Sequence, residues 1–342
     1  MTDTTTRASG APTLHDVARE AGVSLATASR VLNGSTRKVA EAYAERVQAA
    51  ADRLGYTANL SAQAIARGTS AAVALIVADI ADPYFGQIAS GVAQAAADAG
   101  LIVTIAMTER DPRREVALVR ALRGQRPRGI ILAASRDASV DSTPLTAEIA
   151  AVQATGGRVV TLGAGLSGSR VVAYENEAGA RALGERVAAL GYRDAVVLAG
   201  PEGLRTSDDR LAGFTAGFAT GGGSAPRVVR GEISRDAGYA AASALLTDAL
   251  APGTLVFGIS DVVAIGALSA VRDAGRTPGA DIAVAGFDDI ATGRDVTPGL
   301  TTVRLPLEEL GAQALRASVD AEWTPGEPVA LEVLVRASTP PR

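Results

Sequence analysis

Residues 13–34 read TLHDVAREAGVSLATASRVLNG, a pattern that predicts two short amphipathic helices joined by a tight turn. Thr13 can cap the first helix, and Asp16, three residues on, completes a capping-box pair. The apolar residues of this helix recur at i, i+3, i+4 and i+7, which places them on one face. Gly22 then permits the tight turn, and Ser24 can cap the second helix.

The second helix is predicted to bury Ala28, Val31 and Leu32 against the first, and a third helix over residues 39–54 repeats the apolar period. In a helix-turn-helix the second helix enters the DNA major groove, where Arg30 can donate two hydrogen bonds to guanine. An ordinary helical hairpin is the alternative interpretation. The outer face that would meet DNA comprises Leu25, Ala26, Thr27, Ser29, Arg30 and Asn33.

From residue 72 onward, short apolar runs alternate with amphipathic helices. Such runs are typical of parallel strands in βαβ units, and we expect the first four to be buried. Two series follow one another, which predicts an α/β fold with two lobes, each a doubly wound parallel sheet. The predicted strands are 72–77, 101–106, 129–133 and 158–162 in the first series and 195–199, 227–230, 254–257 and 282–285 in the second.

The composition excludes several classes of protein. The 342 residues are 47% hydrophobic and 20% charged, which excludes disorder as the dominant state. The chain has no cysteine and one histidine, His15, so we expect no catalytic residues, no metal site and no cofactor. No apolar run approaches the roughly 18 residues of a membrane span, and residues 1–12 lack the apolar stretch of a secretory signal. We therefore expect a cytoplasmic protein with no membrane partner.

Charge is distributed unevenly along the chain. Positions 1–70 hold eight basic and six acidic residues, whereas the remaining positions hold 25 basic and 31 acidic residues. A mildly basic N-terminal region on an acidic body fits a nucleic-acid partner for the first region only.

Residues 163–168, GAGLSG, match the G-x-G-x-x-G pattern of dinucleotide-binding sites. That fingerprint has to open a helix, yet the next residues, 169–174, are few and rich in β-branched side chains. We interpret the segment as a loop between strands, and this argues against a nicotinamide-dependent enzyme.

Residues 13–34 are similar to the headpiece signature of the lactose/galactose-repressor (LacI/GalR) family of bacterial transcription factors. Further motifs of that family follow in order: DPYF at 82–85, DRLAGF at 209–214, GFDD at 286–289 and PGLTT at 298–302. The resemblance implies a ligand-responsive repressor without catalytic function that binds a palindromic operator in double-stranded DNA as a homodimer. It also implies a two-lobed core like a periplasmic sugar-binding protein, with a sugar or related metabolite as effector in the cleft.

The resemblance also divides the chain into domains. It implies a disordered tail at 1–12, a helix-turn-helix headpiece at 13–58 and a hinge helix at 59–69. The core would comprise an N-terminal lobe at 70–173 and 303–331 and a C-terminal lobe at 174–302 and 332–342.

The hinge carries a second DNA contact in that family. Asn59 stands at the start of the hinge, and Ile65 falls at the position of an apolar side chain that is pushed between base steps in the minor groove. Such a wedge unstacks the step and bends the duplex. The alternative is that Ile65 packs on the core or on its dimer mate.

The family pattern assigns Arg210, Asp261 and Asp288 to the effector site, as a donor and two acceptors for adjacent sugar hydroxyls. Each could instead be a surface or capping residue.

Ser260, Tyr84 and Phe85 also belong to the implied effector site. Ser260 stands where asparagine is usual in the family, and Ile233 stands where several relatives place an aromatic residue. Tyr84 and Phe85, in the loop after the first core strand, either form the apolar wall of the cleft or simply pack in the core.

The competing class is a cytoplasmic α/β solute-binding or enzymatic protein with an appended helical domain. The lack of a signal sequence weakens the first option, and the lack of cysteine, of further histidine and of a sound nucleotide motif weakens the second.

Overall fold

The computed structural model describes residues 11–32, 39–57, 70–248 and 250–342. The chain forms two compact units, Met1–Ser70 and Ala71–Arg342. No helix in the described part of the chain is long and apolar enough to cross a membrane.

The first unit contains the helices α1 (Leu14–Ala21), α2 (Leu25–Leu32) and α3 (Glu41–Leu54). The predicted capping box is present: the Thr13 hydroxyl accepts from the Asp16 N–H, and the Asp16 carboxylate accepts from the Thr13 N–H at 3.0 Å. Gly22 ends α1 with a left-handed φ of 62°. The α3 helix starts two residues after the predicted position, and Ala40 before it supplies no capping side chain. The helices share a small core of Val17, Ala18, Ala21, Ala28, Val47, Ala50 and Ala51.

The first lobe of the second unit is built on the parallel strands β1 (Ala72–Val77), β2 (Ile102–Met107), β3 (Gly129–Leu132), β4 (Arg158–Leu162) and β5 (Arg170–Val172). Their order in the sheet is β2-β1-β3-β4-β5. One face is covered by α4 (Pro83–Asp98) and α12 (Leu307–Val319), and the other by α5 (Pro112–Arg123) and α6 (Thr143–Gln153).

The second lobe repeats this plan with β6 (Ala195–Ala199), β7 (Arg227–Arg230), β8 (Leu255–Gly258) and β9 (Ala283–Ala285), in the order β7-β6-β8-β9. One face carries α7 (Asn176–Ala189) and α8 (Arg205–Thr220), and the other α9 (Arg235–Thr247) and α10 (Asp261–Asp273). A short helix, α11 (Thr292–Asp295), follows β9. The predicted doubly wound parallel sheets are confirmed in both lobes.

The chain passes between the lobes three times: after β5, after β10 (Thr302–Arg304) and before β11 (Glu332–Leu334). The β10 and β11 strands pair antiparallel with each other. The Asp288 N–H also donates to the Val303 carbonyl at 2.8 Å, so β10 is bonded to the segment after β9. This strand therefore links the second sheet directly to α12 of the first lobe.

The prediction that the second strand is buried was wrong. Within the described part of the chain, strand β2 pairs only with β1 and lies at the sheet edge, where Ile102, Ile105 and Met107 are 54%, 43% and 36% exposed. A continuous apolar run does not distinguish a central strand from an edge strand that needs a partner surface.

Candidate functional site

A cleft lies where the carboxyl ends of the strands of both sheets face each other, which is where open α/β sheets bind ligands. Its cavity volume is about 50 Å³, and it is partly open to solvent. Its walls combine charged, hydroxyl and apolar side chains. The lining residues are Asp82, Tyr84, Phe85, Arg110, Ala133, Ser135, Leu162, Tyr174, Thr206, Ser207, Arg210, Ile233, Ile259, Ser260 and Asp288.

Arg210, in the second turn of α8, forms the floor of the cleft and is 3% exposed. Its Nε donates to the side-chain oxygen of Asn176 and its Nη1 to the carbonyl of Ile259, both at 2.9 Å. Its Nη2 lies 2.8 Å from Oδ1 of Asp288, and its guanidinium stacks 3.9 Å from the centre of the Phe287 ring. One side chain therefore joins α7, α8 and the segments that follow β8 and β9.

The close packing of α7 on α8 lets Arg210 make these contacts. A Cβ atom on Gly213, one turn further along α8, would lie 2.0 Å from the backbone oxygen of Glu177 in α7. Only glycine allows the helices to approach this closely, and Asn176 at the start of α7 is thereby brought to the guanidinium.

Asp288 contributes an acidic group that is not fully used by the protein. Burial raises the pKa of Asp288, although the neighbouring Arg210 guanidinium opposes that rise. Within the described chain, Oδ1 makes the ionic contact with Arg210 but no hydrogen bond of favourable angle. It therefore retains the capacity to accept a hydrogen bond from a ligand.

The first lobe supplies an aromatic wall. Tyr84 and Phe85 lie in the first turn of α4 and not in the predicted loop, because Asp82 caps the helix by accepting from the Tyr84 N–H at 3.0 Å. The hydroxyl groups of Tyr84 and Tyr174 lie 2.8 Å apart, and burial raises the pKa of both phenols. Tyr84 and Phe85 pack edge to face, with their ring centres 4.9 Å apart.

Arg110 reaches across the cleft from the first lobe. Glu109 and Arg110 both have left-handed φ values, 53° and 61°. The Arg110 Nη2 lies 4.0 Å from Oδ2 of Asp82, whose pKa is raised chiefly by burial, and donates to the Ile233 carbonyl of the second lobe at 3.5 Å.

Ser260 and Asp261 are neighbours at the start of α10, but of these two only Ser260 lines the cleft. Its buried hydroxyl has no hydrogen-bond partner within the described chain. Asp261 does not line the cleft, because Oδ2 accepts from the Ile290 N–H at 2.9 Å and Oδ1 from the Thr302 hydroxyl at 2.6 Å. The structure therefore places Asp261 behind the site, where it holds the segment after β9 against β10.

Sequence reasoning did not assign Asp82, Arg110, Ser135, Tyr174, Thr206 and Ser207 to the cleft. One signal could have found several of them. The signal is a position just after the carboxyl end of a strand, because this edge of a parallel sheet meets the ligand. Such positions are occupied by Asp82 and Ser135, which follow predicted strands, and by Tyr174, which follows a short β-branched stretch.

A backbone bridge closes the cleft on one side. Residues 135–138 of the first lobe and 203–206 of the second, here called the interlobe bridge, pair antiparallel around Asp137 and Leu204. The Ala138 N–H donates to the Gly203 carbonyl at 2.8 Å, and the Arg205 N–H donates to the Arg136 carbonyl at 3.2 Å.

The first-lobe strand of this bridge is held by a buried ion pair. The Arg136 guanidinium contacts both carboxylate oxygens of Glu115, at 2.6 and 3.2 Å. Ser135, which precedes it, accepts from the Thr206 N–H at 3.3 Å. Both Ser135 and Thr206 line the cleft, so the bridge also positions part of its wall.

In the first unit, α2 presents the outer face that the sequence predicts. Leu25, Ala26 and Arg30 are exposed, Thr27 and Ser29 are half-buried, and Ala28 is buried on the opposite side. No described residue pairs with the Arg30 guanidinium. The predicted DNA contacts Asn33, Asn59 and Ile65 lie outside the described residues.

Comparisons with known proteins agree with this two-part architecture. Residues 13–59 match the family described as bacterial regulatory proteins, lacI family, and residues 185–339 match the periplasmic binding protein-like domain. The chain is 32% identical to the ribose operon repressor of Halalkalibacterium halodurans over 89% of this chain and 88% of that protein. It is 31% identical to the transcriptional regulator GalR of Escherichia coli over 88% and 87% of the two chains.

Two solved structures are similar over nearly the whole chain. The lac repressor dimer bound to operator and the anti-inducer ONPF has a TM-score of 0.81 and 26% identity, covering 97% of this chain and 100% of that one. The complex of the transcriptional regulator CelR with cellobiose has a TM-score of 0.66 and 30% identity, covering 96% and 99%.

A helix-turn-helix unit joined to a two-lobed ligand cleft defines a ligand-responsive, DNA-binding transcriptional regulator. The chain belongs to the lacI family of bacterial regulatory proteins. Its curated relatives are transcriptional regulators and not enzymes, so the alternative of a solute-binding or enzymatic protein is set aside.

The position of Asp261 leads to a prediction on pH dependence. Burial raises the pKa of Asp261 from 3.8 to about 6, so the folded protein binds this proton more tightly than the unfolded chain does. The resulting stabilisation is complete below pH 4 and is lost as pH rises through 6. Across this pH window, the wild-type free energy of unfolding should therefore fall by about 3 kcal/mol relative to that of the Asp261→Asn variant, because each unit of pKa difference corresponds to about 1.4 kcal/mol.

Urea denaturation at pH 4, 5, 6 and 7, followed by fluorescence of the single tryptophan, Trp323, measures this difference. The exposed Asp98→Asn variant should keep the wild-type profile. Parallel profiles of wild type and Asp261→Asn would show that Asp261 does not titrate in this range.

The interlobe bridge leads to a second prediction, which can be tested with introduced cysteines because the chain has no native cysteine. Asp137 and Leu204 form a non-hydrogen-bonded antiparallel pair, for which Cα atoms lie about 4.5 Å apart, within the range that a disulfide spans. The double variant Asp137→Cys/Leu204→Cys should therefore form an intramolecular disulfide rapidly under mild oxidation, seen as a mobility shift on a non-reducing gel.

Each single cysteine variant controls for intermolecular disulfides. The same double variant in denaturing urea gives the rate of disulfide formation in a chain without the bridge. Oxidation of the folded double variant no faster than of the denatured one would contradict the bridge.

Proposed function

We propose that the protein is a homodimeric repressor that binds a palindromic operator through two headpieces and changes its operator affinity when a small, sugar-like molecule occupies the cleft. It has no catalytic function in this proposal, and it acts in the cytoplasm because its partner is double-stranded DNA. The observation that carries the proposal is the exposed outer face of α2, which lies on a packed three-helix unit and presents an arginine that pairs with no described residue.

The DNA-reading role follows from the chemistry of that face. Arg30 can donate two hydrogen bonds to guanine O6 and N7, while Leu25 and Ala26 offer apolar contact to a thymine methyl group. Thr27 and Ser29 are in position to meet base edges or phosphates. Asn33, with Asn59 and the wedge Ile65 in the hinge, completes the proposed DNA-binding set.

The effector role follows from the polar atoms of the cleft. The buried Ser260 hydroxyl and Oδ1 of Asp288 have unused hydrogen-bonding capacity, and Arg210 lies beside them. Tyr84 and Phe85 supply the opposite, aromatic wall. Such a mixture suits a compact molecule with several hydroxyl groups. Relatives named as a ribose operon repressor and as a CelR–cellobiose complex support a sugar-like ligand.

Asp261 has an indirect role in this proposal. It keeps the segment that carries Asp288 in place and does not touch the effector itself.

The exposed edge of β2 supports the homodimer. Ile102, Ile105 and Met107 are exposed apolar residues of an edge strand, with Ile105 and Met107 on one face of the sheet and Ile102 on the other, and a protein normally covers such an edge. A second copy of the chain is the proposed cover. The similar lac repressor structure is that of a dimer.

The domain limits are part of the same proposal: tail 1–12, headpiece 13–58, hinge 59–69, and lobes 70–173 with 303–331 and 174–302 with 332–342. The sheet topology supports the limits of the lobes. One sheet contains β1–β5 and packs against α12, and the other sheet contains β6–β9.

The role of Arg30 can be tested with an operator selected from random duplex DNA. Arg30→Ala should cost about 1 to 3 kcal/mol of binding free energy on the selected site and relax the preference at one base pair in each half-site. Fluorescence anisotropy on selected and random duplexes measures both effects. Arg53→Ala removes the same charge from an exposed position of α3 and should leave base preference unchanged. Equal losses on both duplexes for Arg30→Ala would make it a phosphate contact.

The proposed dimer surface can be tested by sedimentation. Ile105→Asp places a charge at this exposed apolar edge, and desolvating that charge should shift the protein from dimer to monomer at micromolar concentration. Val140→Asp introduces the same charge at another exposed apolar residue of the first lobe and should sediment as wild type. A dimeric Ile105→Asp variant would place the interface elsewhere.

A further inference from the structure

The end of the first-lobe sheet where the strands begin carries a group of arginines. Strands β3 and β4 are in register at Gly129 and Arg158, so Arg128, one residue before Gly129, lies at the same end of the sheet as Arg158. The last turn of α12 ends at the same place, because the Val319 carbonyl accepts from Arg158 at 3.2 Å. We call this end, with Arg126, Arg128, Arg158 and Arg316, the sheet base.

The positive charge of the sheet base is poorly compensated. Arg126 and Arg128 are exposed, and their guanidinium groups have no ion pair or hydrogen bond to any described residue. Nearby, Arg170 donates only to backbone carbonyls, and its pKa is lowered by burial and by repulsion from Arg158. This excess of positive charge is local, since residues beyond position 70 carry more acidic than basic groups.

The carboxylates at this end are few and already engaged. Asp98 accepts from the Gln94 side chain at 3.3 Å, and Asp320 accepts from the Glu322 N–H at 2.9 Å. Neither pairs with Arg126 or Arg128.

The backbone at Arg126 gives independent support. Arg126 has a left-handed φ of 49° in the turn between α5 and β3, a conformation that glycine or asparagine adopts at lower cost. Strain of this kind persists where surrounding structure holds it and is concentrated at functional positions. The buried Pro127 follows and fixes the turn that presents the arginine to solvent.

The sheet base is also the point where the chain enters the core. The Arg128 N–H donates to the Ala72 carbonyl at 2.8 Å, two residues after Ser70. Twelve residues, 58–69, connect Thr57 of the first unit to Ser70, and a chain of that length spans at most about 40 Å. The first unit is therefore tethered to the core at the sheet base.

We infer that Arg126 and Arg128 form an auxiliary DNA-binding surface that contacts backbone phosphates beside the operator. This inference rests on the proposed function, because it needs the headpiece to hold the duplex. Exposed guanidinium groups bind phosphate oxygens without reading bases, so the contact adds affinity and salt dependence but no sequence preference.

The test uses the full-length protein and a random-sequence 40-base-pair duplex, titrated between 50 and 200 mM KCl. Each phosphate contact that is lost should lower the slope of log K against log salt concentration by roughly 0.9. Arg126→Ala/Arg128→Ala should therefore reduce the slope by up to about two per chain. Arg272→Ala/Arg294→Ala, which removes two exposed arginines of the second lobe, should match wild type. Arg126→Lys/Arg128→Lys should retain the slope, since phosphate contact needs charge more than the guanidinium fork.

Equal slopes for wild type and the double alanine variant would overturn the inference and leave the headpiece as the sole DNA-binding surface. A wild-type protein with no salt-dependent binding to the duplex would overturn the proposed function as well. Conversion of the double alanine variant to a monomer in sedimentation would mean that these arginines contact a second copy of the chain, and this also overturns the inference.

Discussion

The effector cleft depends on one buried guanidinium. Arg210 is almost completely removed from solvent, and such a charge is tolerated only if its N–H groups are matched by acceptors. Asn176, the Ile259 carbonyl and Asp288 meet that requirement from three different elements of the second lobe. Because removing one partner of a buried ion pair typically costs about 3 to 5 kcal/mol, these elements cannot separate without a large penalty. The floor of the cleft is therefore rigid, and the moving parts of the site lie elsewhere.

The residue after Asp288 connects this floor to the crossings between the lobes. Asp289 is buried, and its carboxylate accepts from Arg304 in β10 at 2.9 Å and from Arg336 after β11 at 2.5 Å. Two consecutive aspartates with left-handed backbone thus face opposite ways, one toward the cleft and one toward two interlobe crossings. A ligand that contacts Asp288 is therefore only one residue away from the carboxylate that anchors these crossings. This arrangement connects occupancy of the cleft to the relative position of the two lobes. It also explains why the Asp261 carboxylate holds this segment in place and does not face the ligand.

The periodic elements were predictable from the sequence, and the contacts between loops were not. Apolar spacing identified the three headpiece helices and the parallel strands, and family motifs brought Arg210, Ser260 and Asp288 to one cleft. The same reasoning failed for Asp261, because an aspartate after a strand can face either the ligand or the protein behind it. It also missed Arg110 and the interlobe bridge, since backbone pairing between two loops leaves no periodic pattern in the sequence.

Occupancy of the cleft and binding of the operator are coupled in the proposed regulator. Linkage requires this coupling to be reciprocal. The direct measurement is calorimetric titration of the effector, found by thermal-shift screening of sugars, into the free protein and into its operator complex. We expect two dissociation constants that differ by roughly 5- to 150-fold, which is the same factor by which the effector changes operator affinity. Identical dissociation constants would contradict it, because the cleft would then have no influence on DNA binding.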